Sequence, residues 1–181
     1  MIEKELIEEC RNGNLRSFRK VVEMTSQMVF TVAHRMLGDE ESARDVVQDT
    51  MVTVWQKLAN IKTAESFRTW VYRIAVNKCY DQLRRRKRQN ENRYDDQAWA
   101  IISNRILEEG NTELDNAENA RIISLLTDKL SPRQKAVFVL SELEDMPADE
   151  ISKITGMTRS VIKANLYHAR KNIESLLQKY L

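Results

Sequence analysis

The sequence predicts an all-α protein built as two small helical domains joined by an acidic linker, and three observations carry that expectation. Glycine and proline are scarce, at four and two residues in 181, while 42% of residues are hydrophobic and 31% charged. That mix suits long amphipathic helices better than strands joined by tight turns. Apolar residues recur at three- and four-residue steps in separate blocks, and helix-start and helix-stop residues punctuate the C-terminal third.

The formal charge of +2 conceals an uneven distribution. Leu83-Arg84-Arg85-Arg86-Lys87-Arg88 is a dense cationic run. The stretch 89–120 that follows holds Glu91, Asp95, Asp96, Glu108, Glu109, Glu113, Asp115 and Glu118 against Arg93 and Arg105. A basic module is therefore followed by an acidic connector. Cys10 and Cys79 stand far apart with no CxxC partner, which signals neither a zinc site nor a redox pair and fits a reducing cytoplasm. The chain opens without a cationic and apolar leader, and no apolar run approaches the roughly 20 residues needed to span a bilayer. The expectation is a cytoplasmic protein without membrane insertion, metal or cofactor.

Helical periodicity is clearest over 42–58, where Ala43, Val46, Val47, Met51, Val54, Trp55 and Leu58 form the predicted core face. Asp45, Asp49 and Gln56 line the opposite side with Val52 in their midst. This is either a partner surface or a solvated face with one stray valine. A loop over 59–65 leads to Ser66 as a helix N-cap, and Phe67, Val71, Ile74 and Ala75 give the next buried stripe. At about 100° per residue, Trp70, Arg73, Asn77, Tyr80 and Arg84 share another side of that helix. Aromatic rings can stack on exposed bases while guanidinium groups neutralise phosphates. The alternative is that Trp70 and Tyr80 complete the core and the arginines only keep the surface soluble.

Periodicity weakens over 89–117, the predicted linker, although Trp99, Ile101, Ile102, Ile106 and Leu107 are too many apolar residues for a fully solvated tether. Ile122, Ile123, Leu125, Leu126 and Leu130 then restore an apolar stripe. Ser131-Pro132-Arg133-Gln134 supplies an N-cap, a proline at the first helical position and a capping-box glutamine. That helix carries Ala136, Val137, Leu140 and Leu143 inward and fades at Asp145-Met146, where Pro147 with Asp149 and Glu150 starts a short one. Gly156 ends it, and Thr158 caps a longer helix with Val161, Ile162, Leu166, Ala169, Ile173, Leu176 and Leu177 on its buried side. Its outward side holds Ser160, Lys163, Ala164, Tyr167 and Lys171, flanked by His168 and Arg170. Two helices about a glycine-containing turn, the second basic on its outer face, fit a major-groove reader; an ordinary helical hairpin shares the turn chemistry.

At this point the chain resembles a known family, the extracytoplasmic-function (ECF) sigma factors of bacterial RNA polymerase, along nearly its whole length. Ala43-Arg44-Asp45-Val46-Val47-Gln48-Asp49-Thr50 through Val54-Trp55 looks like the block that binds the polymerase clamp. Phe67-Arg68-Thr69-Trp70-Val71-Tyr72-Arg73-Ile74-Ala75-Val76-Asn77 with Asp81-Gln82-Leu83-Arg84-Arg85 is similar to the block that melts and reads the minus-ten element. Leu130-Ser131-Pro132-Arg133-Gln134 through Glu150-Ile151, Gly156 and Ile162-Lys163 resembles the minus-thirty-five reader. The resemblance implies sigma region 2 over 1–88, a linker over 89–117 and a region 4 helix-turn-helix over 118–181.

It further implies that Asp45, Gln48, Asp49 and Val52 face polymerase. Promoter DNA would meet Trp70, Arg73, Asn77, Tyr80 and Arg84 in the first unit and Arg159, Ser160, Lys163, Ala164, Tyr167, His168 and Lys171 in the second. Asn77 matches an amide that contacts a flipped base, with the loop between Leu58 and Ser66 as its pocket. The implied partners are core RNA polymerase (the clamp of its beta-prime subunit and the flap of its beta subunit), promoter DNA and an anti-sigma factor. Asn165 and His168 depart from frequent arginines of the family, and Ser152 stands where helix-turn-helix motifs prefer alanine.

Two other classes remain to be weighed. A stand-alone helix-turn-helix regulator explains only the C-terminal half. An enzyme finds little support, because Glu41, Asp45 and Asp49 are joined by no His or Cys, and neither a phosphate loop nor a nucleophile elbow is present.

Overall fold

The computed structural model describes residues 4–58, 61, 66–88 and 123–180. Among these every regular element is helical: α1 (Lys4–Arg11), α2 (Leu15–Leu37), α3 (Glu40–Lys57), α4 (Phe67–Arg88), α5 (123–128), α6 (Pro132–Phe138), α7 (Ala148–Thr155) and α8 (Arg159–Tyr180). The all-α expectation holds. The predicted linker, Ile122 and most of the loop between Leu58 and Ser66 lie outside the described residues.

Local chemistry sets the helix ends. The Asn14 side chain accepts from the backbone N–H groups of Arg16 and Ser17 to start α2, and Asp39 accepts from Ser42 to start α3. Gly38 between them stands at φ 67°, the left-handed cap that only glycine adopts without penalty. A Cβ there would also lie 1.8 Å from Ser124 Oγ, so α5 rests directly on the end of α2. The predicted capping box is complete: Gln134 N–H donates to Ser131 Oγ at 3.3 Å, and Ser131 N–H donates to Gln134 Oε1 at 3.0 Å.

The first three long helices pack mutually, and α1 lies along α2. Their core is Val21, Val29, Val32, Ala33 and Met36 of α2, Ala43, Val46 and Val54 of α3, and Phe67, Val71, Tyr72, Ala75, Val76 and Cys79 of α4. Tyr72 is an addition to the stripe expected for α4, and Ile74 is only half-buried. Arg86 belongs to the architecture rather than to a solvated basic run. It donates to Leu37 O at 2.7 Å and Ser42 Oγ at 2.6 Å, and pairs with Asp39 at 3.4 Å. In the C-terminal unit α6 packs on α8, with Leu130, Ala169 and Ile173 in a small cluster of their own.

Two expectations need correction. Trp55 is 37% exposed instead of core, because the buried line of α3 runs through Val46, Thr50 and Val54, and Trp55 sits one residue, about 100°, off it. Val161 is 40% exposed for the same reason relative to Ile162, the residue of that turn that enters the core. A third difference concerns Leu143, expected inward and only half-buried. The chain does not run straight there: Val139–Leu143 widens into a π-helical turn, closed by Glu144 N–H to Val139 O at 3.1 Å, and Asp145 follows at φ 50°.

The two units are not independent. Buried residues of α1–α4 and of α6–α8 form one contiguous apolar cluster, with α4 packed on α6 and α7 and α2 packed on the π turn.

Candidate functional site

On α3, Asp45, Gln48 and Asp49 are exposed and Val52 is 51% exposed, so the four residues expected to face a partner do share an open surface. Lys78 of α4 approaches Asp49 at 3.7 Å across an exposed pair, too solvated to neutralise it firmly. Beside this face runs an apolar groove of about 490 Å³ between the start of α2 and the second half of α3. Leu15, Phe18 and Val22 form one wall, and Val47, Met51, Val52 and Trp55 the other. Phe18 and Trp55 meet with ring centroids 4.8 Å apart at 57°, which fixes the indole at the groove's edge. Val52 is thus part of a continuous apolar surface and no stray residue. The α2 side of it escaped the sequence reading, although the three- and four-residue steps of Leu15, Phe18 and Val22 were a signal that could have revealed it.

The aromatic and basic side of α4 is less uniform than its helical projection suggests. Asn77 is exposed. Trp70 is half-buried and tilted against Phe67, with centroids 6.1 Å apart. Arg84 is paired with Asp81 at 2.9 Å on the surface. Arg73 reaches across to the C-terminal unit, where its Nε donates to the backbone carbonyl of Lys153 at 3.0 Å. Tyr80 is half-buried, and its hydroxyl has no hydrogen-bond partner among the described residues. Burial pushes this phenol up to about 12, opposed by the charges of Arg133 and Arg84, so it stays neutral. The structure therefore brings part of each alternative together: Trp70 and Tyr80 do complete packing, while Asn77 remains open.

The helix-turn-helix is assembled as expected. Gly156 at φ 74° closes α7, and its N–H donates to Ser152 O at 2.8 Å. Ser152, unusual at its position, is put to use: its hydroxyl donates to Met157 O at 2.7 Å and braces the turn. Thr158 Oγ1 accepts from Val161 N–H at 3.4 Å at the start of α8. Ser160, Lys163, Ala164, Tyr167, His168 and Lys171 are all exposed, with Tyr167 62% so and set edge-on to His168. Arg159 is exposed too, but its guanidinium grips Asp149, with Nη2 to Oδ2 at 2.5 Å. Arg170 similarly reaches Glu142 at 2.8 Å. Both arginines orient α8 against the preceding helices, and the free outer face lies between them.

Among the described residues no cluster of His, Cys, Asp or Glu is placed to hold a metal ion, and no helix is long and apolar enough to cross a membrane. Cys10 and Cys79 are buried free thiols, and burial pushes Cys79 up to about 12.

Comparison with known proteins places these surfaces in a family. The profile for sigma-70 region 2 matches residues 21–89, and that for sigma-70 region 4 matches residues 120–173. The chain is 30% identical over 180 residues to the RNA polymerase sigma factor CnrH of Cupriavidus metallidurans, covering 95% of this chain and 92% of that one. It is 24% identical over 191 residues to the ECF RNA polymerase sigma factor SigW of Bacillus subtilis, covering 98% of each. Its fold is similar to CnrH in complex with the cytosolic domain of CnrY (TM-score 0.68, 23% identity, 96% of both chains). It is also similar to the sigma factor RpoE in complex with the anti-sigma factor NepR from Bartonella quintana (TM-score 0.63, 19% identity, 90% of this chain and 98% of that one). With both family regions in order on a chain whose relatives match it end to end, this protein belongs to the ECF branch of the sigma-70 family of RNA polymerase sigma factors.

Proposed function

We propose that the chain binds core RNA polymerase and directs it to promoters, initiating transcription without catalysing a reaction of its own. The observation that carries this reading is the exposed Val52 among Asp45, Gln48 and Asp49, continuous with an apolar groove on a region 2 fold. An apolar surface rimmed by carboxylates suits a partner that offers apolar side chains flanked by basic ones, as the polymerase clamp would. Residues 1–88 then act as the unit that meets polymerase and the minus-ten element, 89–117 as the connector, and 118–181 as the reader of the minus-thirty-five element, held by the polymerase flap.

Within these units the side chains divide by chemistry. Asn77 can exchange hydrogen bonds with an extruded base, supported by Trp70, Arg73, Tyr80 and Arg84 as stacking and phosphate-binding groups. On α8, Lys163 and Lys171 offer cations to phosphate or guanine. Ala164 and Tyr167 offer apolar contact to a thymine methyl, and His168 can meet a base edge. An anti-sigma factor and a cytoplasmic setting follow from the same role, since the sigma factor RpoE, similar in fold, is held by the anti-sigma factor NepR.

In vitro transcription with core polymerase on fragmented genomic DNA, with and without the chain, tests the reading. New transcripts with defined start sites are expected only when the chain is added. The same transcript profile in both reactions would overturn it.

A further inference from the structure

Arg159, the first residue of α8, is held by Asp149 in the first turn of α7. The guanidinium meets the carboxylate with two parallel hydrogen bonds: Nε donates to Oδ1, and Nη2 donates to Oδ2 at 2.5 Å. Ten residues separate the two positions, and the turn at Gly156 is what brings them together. Both side chains nonetheless stay open to solvent, Arg159 at 69% and Asp149 at 58%. An ion pair so exposed adds little to the stability of the fold. Its geometry suits another task.

An arginine carries five N–H groups in a planar fork. Asp149 takes the Nε proton and one Nη2 proton, which leaves one N–H on Nη2 and two on Nη1. Two of these, one from each terminal nitrogen, point outward side by side, the arrangement that meets O6 and N7 of guanine in the major groove. The carboxylate also fixes the plane of the fork, so less side-chain freedom is lost on contact. Phosphate is the poorer match, because the pair is neutral overall and Asp149 would repel a phosphate drawn to Arg159. Position agrees with this assignment. The first residues of a recognition helix are those that reach base edges. Arg159 lies one turn before Lys163 and two before Tyr167 on the same exposed line of α8.

We propose that Arg159 reads a guanine of the minus-thirty-five element and that Asp149 is its positioning residue. The assignment rests on α8 being the minus-thirty-five reader, and adds which base is read, by which edge, and what holds that edge. Arg170, which reaches Glu142 through Nη2 at 2.8 Å, is no second case, because a single hydrogen bond leaves the plane of its guanidinium free to turn.

The test uses holoenzyme assembled from core polymerase and the full chain, bound to a promoter library randomised over the minus-thirty-five element. Wild type should select a guanine that Arg159→Ala and Arg159→Lys both lose, with discrimination at that base pair falling about tenfold and the other positions unchanged. Lysine keeps the charge and removes the fork, so guanine preference retained by that variant would overturn the proposed edge contact. Asp149→Ala should lower the same discrimination and, because it frees a cation, steepen the salt dependence of binding to all promoters. A residue that only braced the turn would weaken binding to every sequence alike and leave the salt slope unmoved. Full guanine preference in Asp149→Ala removes Asp149 from the positioning role. If Arg159→Ala leaves the selected sequence unchanged while Ala164→Arg with His168→Arg shifts it, the guanine assignment falls and the reading of α8 stands. If neither shifts it, the reading of α8 falls as well.

Discussion

Replacing Val52 with glutamate should separate binding from folding. Val52 is half exposed at the edge of the α2–α3 groove, so docking of a partner would bury what remains of its side chain. Full burial of a valine contributes about 1.5–3 kcal/mol, so the exposed half contributes about 1 kcal/mol to a complex. A carboxylate in its place loses that term and must also be desolvated beside Asp45 and Asp49, adding about 1–2 kcal/mol. The complex with core polymerase should weaken by about 2–3 kcal/mol, or roughly 30- to 150-fold in Kd. Folding should hardly respond, because the site is exposed and glutamate is the better helix former. A change within about 0.5 kcal/mol moves the Tm of a chain this size by only about 1–2 °C. Competition binding to core polymerase and a circular-dichroism melt give the two numbers, with Val52→Ile as the conservative control. Equal affinity of V52E and wild type at equal Tm would refute the assignment of this surface.

Asn77→Ala should slow formation of open promoter complexes while polymerase binding is retained; normal permanganate reactivity of the melted strand would remove Asn77 from that role. Ala164→Arg together with His168→Arg should shift the preferred minus-thirty-five sequence and leave the minus-ten preference fixed, which selection on randomised promoters by the variant holoenzyme reads directly. Each base contact so changed is expected to alter discrimination by about 1–3 kcal/mol. The Cys79 thiol, buried and pushed up to about 12, should resist thiol reagents at pH 8 in the folded chain and react once denaturant exposes it. Rapid labelling of Cys79 under native conditions would contradict the packing of α4.

The sequence reading succeeded where a signal is local. The capping box of Ser131 and Gln134, the left-handed Gly156 and the Thr158 cap each act within a few residues, and each forms as its spacing demands. The helix-turn-helix followed from them. Helical projection also placed Val52 correctly, because an apolar residue opposite a strong core stripe has nowhere else to point. It failed by one residue at Trp55 and Val161. A 100° step from the buried line is core if a neighbouring helix lies there and surface if none does, and a single sequence does not say which. Arg35 and Glu144 show the wider limit: 109 residues separate them, nothing in either neighbourhood names the other, and the π turn that presents Glu144 has no composition of its own. The cationic run divided on the same ground, with Arg86 drawn into packing by Leu37, Asp39 and Ser42 while Arg84 stayed on the surface.

The ion pairs of this chain are therefore unequal, and their burial ranks them. Arg44–Glu40, Arg84–Asp81 and Arg159–Asp149 are exposed on both sides, so each should contribute at most about 1 kcal/mol and yield to salt. Arg35–Glu144 and Arg86–Asp39 are shielded on both sides, and breaking either by removing one partner leaves a charge poorly served by water. Yet the two differ in kind. Arg86 and Asp39 join elements of the same unit, where Asp39 also caps α3, so their loss should lower the stability of region 2 itself. Arg35 and Glu144 join different units that also share one contiguous apolar cluster, so their loss should weaken the seam between α2 and the π turn.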